Sequence, residues 1–287
     1  MAAEKLTARR PTSEDDILVV EGLRKAFGGL MAVVDYDLRL ARGEIIGLIG
    51  PNGAGKTTVI NMMSGLETPT RGKVYFAGRS IGHWRAQKIA RLGLARTFQN
   101  LRLFGDYDAR DNVVVALLKK HHYNVVEAVL GGPRFREAKR GLHEEADALL
   151  HRVGLGGDGD VAAEALPYGK QRRLEIARAL ALEPRLLLLD EPAAGMVDEE
   201  QQDLAALLRA LRDEGLTVLI VDHNIRFLLS VVDRVQVMNY GELIAEGEPA
   251  EVVADPRVIE AYLGTDPEGS TPEGSDFEDS DLEQADD

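Results

Sequence analysis

The chain of 287 residues has no cysteine and no long run of apolar residues. The absence of cysteine excludes disulfides and thiolate metal sites, and it suits a reducing cytosol. Because no apolar run reaches about 18 residues, no segment is expected to span a bilayer. The polar segment 1–16 also lacks the apolar core of a signal peptide. Any role at a membrane is therefore expected to depend on another chain.

The sequence also lacks an excess of positive charge, with 34 Lys and Arg against 48 Asp and Glu and a net charge of −14. Residues 265–287 hold ten of these acids and no base, which leaves −4 for residues 1–264. Neither part offers the basic field that nucleic-acid binding normally needs. The acidic tail 265–287 is too poor in apolar residues to fold alone and is expected to be disordered. Residues 1–14 are expected to form a flexible leader.

A glycine-rich segment is the most informative feature that the sequence does contain. Residues 50–58 read Gly-Pro-Asn-Gly-Ala-Gly-Lys-Thr-Thr and follow the apolar run 45–49. The glycines remove side chains that would keep a phosphate away from main-chain N–H groups, and the helix that follows presents its N-terminus to the same anion. Lys56 can reach the β- and γ-phosphates, and the Thr57 hydroxyl can bind Mg²⁺. The segment predicts a P-loop that binds a nucleotide.

The rest of the pattern alternates strands and helices. Short apolar runs bounded by turns predict strands, the last three buried and parallel, at 17–20, 33–40, 74–78, 186–189, 217–221 and 235–238. Segment 81–98 is predicted to be helical, and three helices are predicted between about 108 and 183, where no strand pattern remains. The sequence therefore predicts an α/β core with an all-helical insertion.

Two adjacent acids, Asp190 and Glu191, follow the strand predicted at 186–189. An exposed strand could also end in two acids, but this run is entirely leucine and is expected to be buried. At the carboxyl end of a parallel strand, Asp190 would face a Mg²⁺ ion beside the P-loop. Glu191 could then polarise the attacking water.

Three further segments resemble motifs of the ATP-binding cassette family. Residues 166–173, Leu-Pro-Tyr-Gly-Lys-Gln-Arg-Arg, are similar to its signature motif, whose usual form is Leu-Ser-Gly-Gly-Gln. Gln99, in Arg-Thr-Phe-Gln-Asn, matches its Q-loop, and His223, in Val-Asp-His-Asn, matches its switch histidine. All five motifs occur in the family's order over about residues 17–264. On these motifs the chain is identified as a member of that family.

The resemblance implies a fold, a domain plan and cofactors. The implied fold is an α/β P-loop NTPase with a mainly parallel core sheet, an N-terminal antiparallel β-subdomain and a helical signature subdomain. The ATPase domain would span 15–264, with its helical subdomain at about 100–183, between the leader and the tail. The implied cofactors are ATP and Mg²⁺, and the implied activity is ATP hydrolysis coupled to transport.

The resemblance also implies a role for each matching residue. Glu191 would be the catalytic base, His223 would be a second catalytic residue that contacts the γ-phosphate and helps to align the water, and Phe27 would stack on adenine. Mg²⁺ would be bound by Thr57, Gln99 and Asp190. The phosphates would be held by Gly50, Pro51, Asn52, Gly53, Ala54, Gly55, Lys56, Thr57 and Thr58. The nucleotide of a neighbouring cassette would be covered by Pro167, Tyr168, Gly169, Lys170 and Gln171.

The signature departs from the family pattern. Pro167 stands where the family has serine, so the hydroxyl that contacts the γ-phosphate is absent, and Tyr168 and Lys170 replace the usual Gly and Gln. Gly169 and the helix N-terminus remain, and backbone contacts to a phosphate can therefore survive.

The D-loop, the segment that follows Glu191, departs from the family pattern as well. Val197 stands at the customary acidic position, and Asp198 follows one residue late. Asp198 is expected to cap the next helix, with Gln201 completing a capping box.

One P-loop and one signature segment imply that a complete site needs two chains, either a homodimer or a heterodimer with a sister cassette. The finer resemblance is to ATP-binding subunits of branched-chain amino-acid importers, through the segments 95–104, 168–179, 190–196 and 259–264 and the insert at 121–140. That family implies transmembrane permease subunits, a second cassette and an extracytoplasmic binding protein. It places the chain at the cytoplasmic face of the membrane, with a permease helix in a groove beside 99–106.

Other functions stay open from the sequence. Importers of urea or other amides use closely similar subunits, and the lipopolysaccharide-export cassette has a similar switch-histidine segment but different Q-loop surroundings. A non-transport cassette acting on ribosomes or DNA is disfavoured by the single cassette and the absence of sustained heptads. A regulatory cassette without turnover is disfavoured by Lys56, Asp190, Glu191 and His223.

Overall fold

The computed structural model describes residues 15–98, 101–118 and 133–263, and its core is a six-stranded sheet. In spatial order the strands are β10 Glu242–Gly247, β9 Arg234–Asn239, β3 Ile45–Ile49, β8 Thr217–Val221, β7 Leu186–Asp190 and β6 Leu94–Arg96. All neighbouring pairs are parallel except β10 and β9. Every residue of β3, β7 and β8 is buried, as expected for parallel strands that are covered on both faces.

A second, antiparallel sheet covers the P-loop side of the core. Its strands, in spatial order, are β2 Leu30–Ala41, β1 Asp16–Phe27, β4 Arg71–Phe76 and β5 Arg79–Ser80. Apolar residues of this sheet pack with α1, Lys56–Met63, and with one face of the large sheet in a single cluster. This cluster fixes the position of the helix that follows the P-loop.

One further helix packs into this first apolar cluster through Ile89, and the remaining helices lie on the other face of the large sheet or end the described chain. In chain order, these helices are α2 Ala86–Ala90, α3 Ala109–Leu117, α4 Pro133–Arg152, α5 Tyr168–Leu180, α6 Asp198–Asp213, α7 Ile225–Leu229, α8 Pro249–Val253 and α9 Pro256–Leu263. A second apolar cluster joins α3 to α7 with the sheet. Among the described residues, none of the helices combines the length and the apolar character that a bilayer span requires.

The predicted fold class is confirmed, with a mainly parallel sheet, an antiparallel sheet and a helical segment. Two local predictions are wrong. Segment 81–98 is helical only in α2, and β6 adds an edge strand because it pairs with β7. The helix predicted to reach Glu183 ends at Leu180, and Glu183 itself has a φ of +50°. The predicted leader 1–14 and tail 265–287 lie outside the described residues.

Candidate functional site

The P-loop joins β3 to α1, and two of its glycines are required by close contacts with neighbouring main chain. A Cβ on Gly50 would lie 2.1 Å from the main-chain oxygen of Met238, and one on Gly55 would lie 2.5 Å from that of Ala32. Both residues also have positive φ, +149° and +101°. Side chains at these positions would push the loop away from β9 and β2. The sequence prediction of a glycine-dependent turn therefore has a physical basis in the packing.

Lys56 opens α1, and its ammonium lies inside the loop. The Nζ atom donates to the carbonyl oxygens of Gly50 at 2.5 Å and Pro51 at 2.9 Å. Burial lowers the pKa of Lys56, an effect that the nearby Glu191 and Asp190 oppose. Of the other predicted phosphate-binding residues, Ala54 is buried, Thr58 is half-buried, and Asn52, Gly53 and Thr57 are exposed. The loop thus combines a shielded cation with an accessible rim.

Asp190 ends β7, where its carboxylate forms an ion pair that the sequence did not reveal. Its Oδ2 atom lies 2.9 Å from Nη2 of Arg96, and the two side chains are only 8% and 7% exposed. The same guanidinium donates through Nη1 to Asn61 Oδ1 at 2.7 Å and Ser64 Oγ at 2.9 Å, both on or just after α1. Arg96 therefore connects the end of β7 with the helix of the P-loop.

Glu191 and His223 come together at the carboxyl ends of β7 and β8. The Nδ1 atom of His223 lies 3.7 Å from Glu191 Oε2, and the His223 side chain is 60% exposed. Glu191 has a φ of +49°, and its main-chain N–H donates to the carbonyl of Val221 at 2.7 Å. The structure thus brings the two predicted catalytic residues together at the carboxyl ends of two neighbouring strands.

Asp222 holds the loops that carry these two residues, a role that the sequence reasoning missed. Its side chain is fully buried and accepts from the main-chain N–H of Ala193 at 3.1 Å and of Asn224 at 2.9 Å. Burial raises the pKa of Asp222, and the two hydrogen bonds oppose that shift. The available sequence signal was an acid directly after the apolar run 218–221, because a buried acid there needs local partners.

The signature residues surround the N-terminus of α5. Pro167 occupies the cap position without a side-chain hydrogen bond, and Gln171 Nε2 donates to the Leu166 carbonyl at 2.9 Å. Lys170 Nζ lies 2.9 Å from each carboxylate oxygen of Asp158. In the described part of the chain, none of these bonds reaches the P-loop. This is compatible with a segment that serves another protomer.

Two signature residues contact the D-loop or the first turn of α6 in the same chain. A Cβ on Gly169 would lie 2.4 Å from Glu200 Oε1, and a Cβ on Gly195 would lie 3.3 Å from the Tyr168 ring. The first contact joins the start of α5 to the first turn of α6, and the second joins it to the segment between β7 and α6. The two motifs that flank β7 are therefore packed together within one protomer.

The capping box predicted at Asp198 and Gln201 is wrong by one residue. Helix α6 begins at Asp198 with Val197 at the cap position, so that Glu200 becomes the third helical residue. Its Oε2 atom accepts from the Val197 N–H at 3.2 Å. Gln201 instead donates to the Met196 carbonyl at 3.0 Å and accepts from Asn224 Nδ2 at 2.9 Å. Gln201 thereby links the D-loop to the switch-histidine loop.

Phe27, the predicted adenine contact, ends β1 with its ring 46% exposed. The Lys25 ammonium lies 4.8 Å from the ring centroid, in a cation–π contact. Gln99, the predicted Q-loop ligand, lies outside the described residues.

A groove of about 470 Å³ lies where the helical segment meets the core, and it is lined by Ser64, Leu66, Ala86, Gln87, Ala90, Leu94, Ala95, Arg96, Phe98, Arg102, Val115, Ala116, Glu175, Arg178, Ala179 and Leu182. Most of this lining is apolar, and its charge is mainly that of three arginines. Burial raises the pKa of Glu175, whose carboxylate accepts from the Phe98 N–H at 3.2 Å. The groove therefore suits an amphipathic helix with acceptor groups.

Comparison with known proteins places this geometry among transporter ATPases. A family model described as an ABC transporter matches residues 33–194, and one described as a branched-chain amino acid ATP-binding cassette transporter matches residues 242–268. The first match covers more than half of the chain.

Individual relatives agree. The high-affinity branched-chain amino acid transport ATP-binding protein BraF of Pseudomonas aeruginosa is 43% identical over 86% of this chain and 98% of its own length. The lipopolysaccharide export system ATP-binding protein LptB of Acidithiobacillus ferridurans is 37% identical over 87% of this chain and 97% of its own. The crystal structure of the ADP conformation of MJ1267, an ATP-binding cassette of an ABC transporter, has a TM-score of 0.77 at 29% identity and covers 87% of this chain and 99% of that one.

Proposed function

We propose that this chain, which belongs to the ABC transporter family of ATPases, is the ATP-hydrolysing subunit of an importer for branched-chain amino acids. The ATPase part of this proposal is carried by one observation: the carboxyl ends of β3, β7 and β8 bring together the P-loop, Asp190, Glu191 and His223. The cargo is supported by the likeness to BraF and by the second family match at 242–268. LptB, whose printed name concerns lipopolysaccharide export, is less similar to this chain than BraF is.

The proposed nucleotide site is built mainly from main chain. Amides of residues 50–58 and the N-terminus of α1 face the phosphates, and Lys56 adds a cation that the loop already shields. Phe27 offers a ring face for adenine. The donors also fit Mg²⁺, which binds through one or two protein oxygens plus substrate phosphates. Thr57 and Asp190 would supply those oxygens, together with Gln99, and the ion would neutralise charge on the phosphates.

The chemistry assigned to the site is in-line attack of water on the terminal phosphate. Glu191 orients and polarises that water, and His223, 3.7 Å away, contacts the γ-phosphate. Asp222 holds the loop after β7 against the loop after β8, because its carboxylate accepts from the N–H groups of Ala193 and Asn224. Such a reaction needs positioned charge rather than covalent help from the protein.

The complete site is proposed to form between two cassettes, either two copies of this chain or this chain and a sister cassette. The signature of one protomer, residues 167–171, covers the nucleotide of the other. Because Pro167 has no hydroxyl, the N–H groups at the start of α5 and the Gly169 main chain supply the contacts. ATP closes this dimer and hydrolysis opens it.

Permease subunits are proposed to attach the cassette to the cytoplasmic face of the membrane. The groove between α3, α5 and the core is the docking site for a cytoplasmic permease helix. An extracytoplasmic binding protein would deliver the amino acid to the permeases. Affinity purification from gently solubilised membranes should recover two permease chains and a second cassette. Recovery of ribosomes instead would reverse the assignment.

The cargo is tested in cells that lack the gene for this chain. Uptake of labelled leucine is expected to fall and to return when the gene is restored. Loss of urea uptake with intact leucine uptake would favour an amide importer instead.

The catalytic assignment is tested with Glu191→Gln, which removes the negative charge but keeps the shape. Turnover is expected to be abolished while an ATP-bound dimer accumulates, as measured by phosphate release and by size-exclusion chromatography. Glu144→Gln, an exposed change on α4, is the matched control and should behave like the wild type. Wild-type turnover by Glu191→Gln would show that another residue is the base.

A further inference from the structure

Arg96 occupies a position between two parts of the site. Its guanidinium bonds to Asn61 and Ser64 beside the P-loop helix and to Asp190 at the end of β7, at 2.7, 2.9 and 2.9 Å. The same side chain lines the groove proposed for the permease helix. Its Nε atom is buried and has no hydrogen-bond partner among the described residues.

The pair with Asp190 is a buried one, with 7% and 8% of the two side chains exposed. A carboxylate that is taken out of water needs a counter-charge, and removing one partner of such a pair leaves the other uncompensated. The oxygen that Arg96 binds, Asp190 Oδ2, belongs to the carboxylate that would bind Mg²⁺. The Arg96 guanidinium and Mg²⁺ would therefore both bind the carboxylate of Asp190.

We propose that Arg96 is a positioning residue for Asp190 and that its guanidinium competes with Mg²⁺ for that carboxylate. This inference rests on the proposed role of Asp190 as a metal ligand. When no metal is bound, Arg96 neutralises the acid and holds it against the P-loop helix. When the metal binds, it shares the negative charge of this carboxylate with the guanidinium on Oδ2, which weakens metal binding. Arg96 also forms part of the groove wall, so that docking of a permease helix in the groove would be connected with metal binding at Asp190.

The test measures metal binding by the full chain saturated with ADP, with Mn²⁺ as the probe and the electron paramagnetic resonance signal of free Mn²⁺ as the readout. Arg96→Gln removes the competing charge and is expected to tighten Mn²⁺ binding about tenfold, equivalent to about 1.4 kcal/mol. Arg96→Lys keeps a charge but cannot hold Asp190 and the P-loop helix together, and it should tighten binding about threefold. A role limited to folding predicts weaker binding in both variants.

Three controls separate the possible outcomes. Arg110→Gln breaks the ion pairs of Arg110 with Asp147 and Asp160 on the helical side and should leave Mn²⁺ affinity unchanged. ADP affinity without metal reports whether each variant has a formed site, and Arg96→Lys serves if Arg96→Gln does not fold. Equal or weaker Mn²⁺ binding by both Arg96 variants would overturn the proposal. If Asp190→Asn kept full Mn²⁺ binding, the metal assignment of the proposed function would fail instead.

Discussion

The P-loop half of the proposed site, residues 50–58, and the signature half, residues 167–171, are held in place by different kinds of contact. The P-loop half is main chain, and Gly50 and Gly55 abut the main-chain oxygens of Met238 and Ala32. The signature half is fixed by side chains, through Lys170 with Asp158 and through Glu200 beside Gly169. Main-chain contacts cannot move without moving a strand, whereas a side chain can change rotamer. Substitutions in the P-loop half should therefore cost more stability and activity than substitutions in the signature half.

The largest effect is expected from Gly50→Ala, with Gly53→Ala as its matched partner. A methyl group at Gly50 would lie 2.1 Å from the Met238 main-chain oxygen, whereas at Gly53 no atom lies within 4 Å. We expect Gly50→Ala to lower the free energy of unfolding by about 3 to 5 kcal/mol, from overpacking and backbone strain together. Gly53→Ala adds only the strain of its positive φ, about 1 kcal/mol. Urea unfolding measures both, and equal losses would contradict the main-chain account of the loop.

Lys56→Ala comes next, because it removes a cation from the phosphate site without moving a strand. Charged hydrogen bonds of this kind contribute about 1.5 to 3 kcal/mol each, so ATP binding should weaken about 100-fold. Fluorescent-nucleotide titration of the isolated chain is the measurement. Lys139→Ala, on the exposed surface of α4, should bind ATP like the wild type. An unchanged affinity in Lys56→Ala would place the phosphates elsewhere.

In the signature half, Pro167→Ser is expected to raise both stability and turnover, whereas the P-loop substitutions lower stability or ATP affinity. A serine at the cap of α5 can accept from a main-chain N–H and should stabilise the chain by about 1 kcal/mol. It also restores a donor towards the partner's γ-phosphate, which should raise turnover about fivefold, as one hydrogen bond of about 1 kcal/mol would. ATP affinity of the separate protomer should not change.

Pro167→Ala is the control for this substitution, because it removes the proline ring without adding a hydroxyl. If Pro167→Ala raised turnover as much as Pro167→Ser, relief of the proline rather than the hydroxyl would explain the gain.

The sequence predicted the first half better than the second, for a physical reason. The P-loop is contiguous, and its glycines, its lysine and the strand before it are visible within about ten residues. The acids after β7 were equally visible, because a wholly apolar run ended at them. Local pattern therefore predicted the parallel sheet and most of the site residues that lie on it.

Contacts between distant segments were not predictable in this way. Arg96 and Asp190 are 94 residues apart in the chain, and only the pairing of β6 with β7 brings them together. Segment 81–98 carries helical periodicity, but its last part becomes a strand because β7 offers an open edge. The cap of α6 was misplaced because Asp198 is a favoured cap residue and Val197 is not, yet the turn geometry puts Val197 at the cap and Asp198 inside the helix.

The smallest effect is expected from Lys170→Gln, which restores the family's usual residue and breaks the ion pair with Asp158. The Lys170 side chain is 44% exposed, and partly exposed pairs of this kind contribute about 0.2 to 1 kcal/mol. The loss of stability should shrink in high salt, where surface charges are screened. Turnover of the assembled dimer should stay within about twofold, since the pair is made inside one protomer. A large fall in turnover with unchanged stability would mean that Lys170 leaves Asp158 to act on the partner's nucleotide, and the signature half would then depend on one side chain as strictly as the P-loop depends on Lys56.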